Sequence, residues 1–167
     1  MRYLLVIDVQ NGFVSDRTKH ILPKLSNLFE EFKNDCILAT KFINLEKSPF
    51  GAFLHWERLK SKPETDLIDF VQDNATQIFV KHAYSSCTPE LMQYLKENDI
   101  QEVYVVGIDT DCCVLKTAID LFECNIRPIV LADCCASNGG EESHRAAITV
   151  LERTIGRNQI AISNRFD

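Results

Sequence analysis

Short runs rich in Val, Ile and Leu recur along the chain, at 3–8, 36–41, 77–81, 102–108, 128–133 and 159–163. Several are nearly continuous in aliphatic residues, the pattern of strands covered on both faces of a parallel sheet. Helical periodicity fills the intervals. Ile21, Leu22, Leu25, Leu28, Phe29 and Phe32 share one helical face. Leu67, Ile68 and Val71 mark a second helix. Thr88-Pro89 reads as an N-cap followed by proline at the first helical position, ahead of Leu91, Tyr94 and Leu95. Val114, Leu115, Ala118, Ile119 and Phe122 form the next stripe, and Ala147, Ile148 and Leu151 the last. This alternation predicts a three-layer α/β/α fold on a mostly parallel six-stranded sheet, with right-handed crossovers. The binding crevice of such a sheet lies beyond the carboxyl ends of its strands. The longest irregular stretch, 44–62, carries Phe50, Phe53, Leu54 and Trp56, too apolar for a solvated linker. It is expected to fold over something, as a lid or an oligomer contact.

Composition narrows the function classes. A length of 167 residues predicts one domain over 1–167, with a core that needs no metal or disulfide staples. A hydrophobic share of 46% with 25% charged residues excludes disorder as the main state. The net charge of −6 makes nucleic acid and anionic membranes poor partners. No apolar run reaches the roughly 18 residues that span a bilayer. The opening, Met1-Arg2-Tyr3-Leu4-Leu5-Val6-Ile7-Asp8, turns acidic too early for a signal peptide. Seven cysteines, an odd number, then point to reduced thiols and a cytoplasmic location. Cys36, Cys124 and Cys134 are expected to face the core, with Cys87 and Cys135 nearer the crevice.

The crevice rule selects the candidate chemistry. The first strand runs out at Asp8 and the third at Lys81. The fourth ends at Gly107-Ile108, followed by Asp109-Thr110-Asp111-Cys112-Cys113 at the mouth of a helix. An acid, an amine and a thiol therefore converge on one edge of the sheet. A thiol at a helix N-terminus is favoured as thiolate by the dipole and the free N–H groups. The same N–H groups can hold a developing oxyanion. A carboxylate nearby can take the thiol proton and return it to a leaving group, while a lysine keeps that carboxylate charged. Singly, each residue has an ordinary structural explanation as a cap, a solvated charge or a packed thiol. Jointly they read as a site.

These segments carry a resemblance over nearly the whole chain. Asp8-Val9-Gln10-Asn11-Gly12-Phe13 resembles the Asp-x-Gln-Asn-x-Phe opening of the isochorismatase-like cysteine hydrolases, a family that includes nicotinamidases and carbamoyl-amine amidohydrolases. Lys81, ahead of Tyr84-Ser85, is similar to the family's lysine segment. Gly107-Ile108-Asp109-Thr110-Asp111-Cys112-Cys113-Val114, with Thr117-Ala118 and Asp120, is similar to its nucleophile segment. Asp133 with Cys135-Ala136-Ser137, and Glu142 with His144, resemble weaker motifs of the following strand and helix. The resemblance implies a Rossmann-like hydrolase fold and a triad of Asp8, Lys81 and Cys113. It also implies a cis peptide between Ile108 and Asp109, and an oxyanion hole formed by the Asp109 and Cys113 amides. Phe13, Phe42, Trp56 and Tyr84 are candidate walls around a small planar substrate, with core or interface packing as the alternative.

The departures from the family pattern shape the expected activity. Metal-using nicotinamidases carry Asp-x-His after the second strand. Here that stretch reads Ala39-Thr40-Lys41-Phe42-Ile43-Asn44, and His55 alone cannot build a metal site. The family's second acid near the start is Gly12, and the segment after the lysine is Ser85-Ser86-Cys87. The expectation is a metal- and cofactor-free cysteine hydrolase acting on a small carboxamide-type molecule, with homo-oligomers formed through the stretch from Phe50 to Trp56. The alternatives are vinyl ether hydrolysis of the isochorismatase type, a non-catalytic binding member of the family, and a redox protein using Cys112 and Cys113. His20 and His144 are read as helix residues without chemistry, and Glu141-Glu142 as a solvated helix start.

Overall fold

The structure, a computed structural model, describes residues 1–165. Six strands form one sheet: β1 (Tyr3–Ile7), β2 (Cys36–Phe42), β3 (Gln77–Lys81), β4 (Glu102–Ile108), β5 (Arg127–Ala136) and β6 (Ile160–Ala161). The helices are α1 (Leu22–Glu31), α2 (Pro49–Leu54), α3 (Asp69–Asn74), α4 (Pro89–Glu97), α5 (Leu115–Glu123) and α6 (Glu141–Leu151). Every strand pair is parallel, in the order β3-β2-β1-β4-β5-β6. The chain thus starts in the middle, runs outward through β2 and β3, and returns to the other side of β1 with β4. Strand order reverses between β1 and β4, and a crevice opens where neighbouring connections leave in opposite directions.

Alternation along the strands explains the layers. Leu4 and Val6 pack with Leu25, Leu28 and Phe29 of α1 and Val71 of α3 on one face. Leu5 and Ile7 pack with Leu91 and Leu95 of α4, Leu121 of α5 and Leu151 of α6 on the other. The expected caps form: the Thr88 side chain accepts from Leu91 N–H, with Pro89 opening α4. At Gly107 the backbone takes φ of +131°, and a Cβ there would lie 2.1 Å from the Ile7 carbonyl oxygen. Only glycine lets β4 pass β1 this closely.

Several boundaries differ from the sequence-based reading. β5 runs three residues beyond its expected end at Asp133, because an irregularity between Val105 and Gly107 lets its pairing with β4 resume at Cys135. β6 is cut to Ile160–Ala161, and Ser163 instead donates its N–H and hydroxyl to Asp133 (2.8 and 2.7 Å). Cys124 does not face the core. It follows the last residue of α5, where the chain turns through Asn125 at φ of +59°, and is exposed. The stretch at 44–62 contains α2, capped by Ser48, and builds a small core of its own from Phe42, Phe50 and Leu59 against Phe13 and Trp56. Phe53 and Leu54 of that helix remain exposed. Among the described residues no helix is long and apolar enough to cross a membrane.

Candidate active site

β1 ends at Ile7, and Asp8 turns away with φ of +50°, a conformation that aspartate tolerates better than most residues. Its carboxylate is fully buried. Asp8 N–H donates to Thr40 Oγ1 (3.2 Å), and the Thr40 hydroxyl donates to Asp8 Oδ1 (2.8 Å). The adjacent strand β2 therefore holds one carboxylate oxygen. The other, Oδ2, lies 2.7 Å from Lys81 Nζ. Lys81 ends β3, beyond β2, and only a long side chain can bridge that spacing. Its ammonium also donates to the carbonyls of Ala83 (2.9 Å) and Tyr84 (2.8 Å). Two carbonyls and one carboxylate thus surround the buried ammonium, as a charge excluded from water requires.

The loop that supplies those carbonyls is itself tied down. Ser85 donates to Asp120 Oδ2 (2.5 Å), and Ser86 N–H donates to Thr117 Oγ1 (2.9 Å). Thr117 and Asp120 belong to α5, so the helix that follows Cys113 also anchors the grip on Lys81.

After β4 the Ile108–Asp109 peptide is cis, and a wide π turn over Thr110–Val114 leads into α5. Cys113 lies in that turn, 5% exposed, and its thiol faces both Asp8 and Lys81. Burial, then the Asp8 charge, push the thiol well above its usual range, and Lys81 offsets part of this. Desolvation in this pocket outweighs the helix dipole, which leaves a neutral thiol whose proton a nearby carboxylate can take. For Lys81 burial opposes the charge, yet Asp8 and Cys113 more than compensate and its pKa is raised.

A cavity of about 360 Å³ opens onto Cys113. Phe13, Phe42, Trp56 and Tyr84 all line it, together with Phe50 and Leu54 from α2. Phe13 stacks on Trp56, with ring centroids 6.0 Å apart and planes 12° from parallel. Gly12 sits in the wall because a Cβ there would meet Leu59 Cδ2 at 2.5 Å. Gln10 is a fully buried backbone clamp: its amide donates to the carbonyls of Phe42 and Thr65 and accepts from Phe42 N–H.

Sequence reasoning missed Thr40, Arg58 and Asn138. Thr40 carried a weak signal, a hydroxyl following the apolar run of β2 from Cys36 to Ala39. Arg58 lines the cavity while paired with Glu64 (2.8 Å). Asn138 also lines it, and its N–H and Nδ2 both donate to Asp109 Oδ1 (2.8 and 2.9 Å). Asp109 lines the cavity, and burial raises its carboxyl to about 6.

Of the remaining cysteines and histidines among the described residues, only Cys112 lines this cavity. Cys36 and Cys134 are buried. Cys135 packs in the core, Cys87 is half-buried near Thr117, and Cys112 lines the cavity beside Cys113. His144, in the first turn of α6, meets Thr110 Oγ1 through Nδ1 (2.8 Å). His144 and His20 line a separate cavity of about 160 Å³. Glu141 and Glu142 are exposed at the start of α6.

The segment after β2 does not fit a metal centre of the nicotinamidase type. Phe42 packs edge-on against Phe50, and the Asn44 side chain is spent on the carbonyls of Trp56 and Arg58 and on the Ser48 hydroxyl. Among the described residues, Asp109, Asp111 and Cys112 bring one ligand atom each within 4.8 Å of one another. Two of their oxygens are engaged, by Asn138 and by Ser137.

Comparison with known proteins now assigns the family. The Isochorismatase domain model matches residues 2–160, so the chain belongs to the isochorismatase family. It is 49% identical to a nicotinamidase of Acinetobacter baylyi, with 79% of each chain covered. It is 36% identical over 73 residues to isochorismatase family protein 1A of Dictyostelium discoideum. That match takes in 42% of this chain and spans only 35% of that relative's length. An isochorismatase-like hydrolase from Alkaliphilus metalliredigens shares the fold, with a TM-score of 0.87, 23% identity, and coverage of 99% of this chain and 96% of that one.

Proposed function

We propose that this protein is a metal-independent cysteine hydrolase that cleaves a carboxamide-type C–N bond of a small molecule. The observation that carries the reading is the Lys81–Asp8 ion pair of 2.7 Å with the Cys113 thiol against both partners, at the end of an aromatic cavity. Asp8 takes the thiol proton as sulfur attacks the carbonyl carbon. The amides of Asp109 and Cys113 receive the oxyanion; such a donor typically contributes about 3 kcal/mol. The tetrahedral adduct collapses, the C–N bond breaks, and Asp8 returns its proton to the departing nitrogen. The resulting thioester is cleaved by water, which gives a proton to Asp8 as it attacks. The acid leaves, and the sulfur recovers its proton. Lys81 keeps Asp8 ionised at the start and holds the charges in register.

A neutral resting thiol suits this scheme, because the proton moves only when a carbonyl is in place. The test is ammonia or amine release from a panel of small carboxamides, ureas and nitriles, in the presence of chelator, with Cys113→Ala as control. Turnover that survives chelation and disappears with the thiol supports the reading. Equal turnover by the alanine variant overturns it.

A further inference from the structure

The proposed triad uses Asp109 only through its backbone, yet its side chain is the feature of the cavity that apolar packing does not explain. Asn138 fixes Oδ1 from two directions, with N–H at 2.8 Å and Nδ2 at 2.9 Å. Asn138 is itself held: Nδ2 also donates to the Phe13 carbonyl (3.0 Å), and Oδ1 accepts from Ser15 (2.7 Å). The carboxylate is thus locked in one orientation. Its second oxygen, Oδ2, accepts no hydrogen bond from any described residue, although the side chain lines the cavity. Asp109 is half-buried and lines the same cavity as Phe13, Phe42 and Trp56, so a carboxylate oxygen without a partner there is an acceptor available to a donor.

The surrounding charges agree. Lys81 and Asp8 cancel each other at 2.7 Å. Arg58, from the lid side, is neutralised by Glu64 through two nitrogens, at 2.9 and 2.8 Å. Asp111, two residues on, adds a further negative charge, and its Oδ1 accepts from the Ser137 hydroxyl (2.5 Å). Cys112, Cys113 and Tyr84 are the other titratable groups on the cavity wall, and none carries a positive charge.

We infer that Asp109 is the specificity-determining residue of this cavity, accepting through Oδ2 an N–H donor, best a cationic one, on an otherwise planar and apolar substrate. The substrate class is then amides or ureides that carry an amidine, guanidine or amine, and carboxylate-bearing analogues are rejected. This deepens the hydrolase reading and rests on it for the word substrate, but the recognition itself is measurable without turnover.

The test is calorimetric binding of three isosteric probes, benzamidine, benzamide and benzoate, to the Cys113→Ala protein at pH 8 with chelator present. Benzamidine should bind at least tenfold more tightly than benzoate. Adding Asp109→Asn should weaken benzamidine at least tenfold while changing benzamide by less than threefold. Benzoate binding as well as benzamidine overturns the inference, as does undiminished benzamidine binding by the double variant. So does the absence of binding by all three probes. The wild-type order of probes stands as a test even if the asparagine variant fails to fold. The hydrolase reading fails separately, through amide turnover that does not depend on Cys113.

Discussion

Ser85 donates a 2.5 Å hydrogen bond to Asp120 across 35 residues of sequence, and this bond couples the loop that grips Lys81 to the helix behind Cys113. Neither residue lines the cavity. Their effect on the site runs through the carbonyls of Ala83 and Tyr84, which hold the Lys81 ammonium.

Replacing Asp120 by Ala should therefore reduce turnover by about ten- to a hundredfold, while stability falls by only about 1.5–3 kcal/mol, the range for a lost charged hydrogen bond, the exposed Lys116 pair adding little. The loss should appear in kcat with KM little changed, because the cavity wall is intact. Thr117→Val, which removes the acceptor for Ser86 N–H, should behave similarly. Steady-state kinetics beside urea unfolding separates the two effects.

Lys81 and Asp8 should be strongly coupled. Lys81→Met leaves a fully buried carboxylate with only the Thr40 hydroxyl and the Cys113 thiol as side-chain partners, and should cost about 3–5 kcal/mol. Adding Asp8→Asn removes the stranded charge and should recover most of that loss. A double variant no more stable in urea than Lys81→Met alone would show that the ion pair is not the source of the penalty.

The Cys113 thiol should respond to these charges with opposite signs. Asp8 raises its pKa and Lys81 lowers it. Asp8→Asn should move the pH–rate inflection for iodoacetamide alkylation of Cys113 to lower pH while abolishing hydrolysis. Lys81→Met should move it upward. At a fixed pH below the inflection the alkylation rate follows the thiolate fraction, so peptide mapping at about pH 9 should find Cys113 labelled faster in Asp8→Asn and slower in Lys81→Met than in the parent.

Asp109 should weaken the fold at neutral pH. Burial raises its carboxyl from the ordinary 3.8 to about 6. Between those values the unfolded chain has lost a proton that the folded chain keeps, so stability falls as pH rises through the window. Above it the cost reaches about 3 kcal/mol. Asp109→Asn should thus be more stable than the parent by about 1–3 kcal/mol at pH 8 and nearly equal to it below pH 4, measured by urea unfolding at both. A residue that weakens the fold at working pH is one that function has reason to keep.

The elements of this protein were legible along the chain because the central strands β1, β2 and β4 are largely buried on both faces and so read as aliphatic runs. The ends of the strand runs are enough to place Asp8 and Lys81 on one edge of the sheet. Local pattern could not decide what depends on neighbours distant in sequence. Thr40 meets Asp8 only through the pairing of β1 with β2, and Asn138 meets Asp109 only where β5 leaves the sheet. The protonation state of Cys113 was likewise invisible, since a helix-start thiol looks activated until burial is counted. Sequence determined which groups arrive at the crevice, because strand ends are a local property. The fold alone decided how dry that place is and which oxygen is left open, because desolvation and hydrogen-bond closure are sums over the whole surrounding shell.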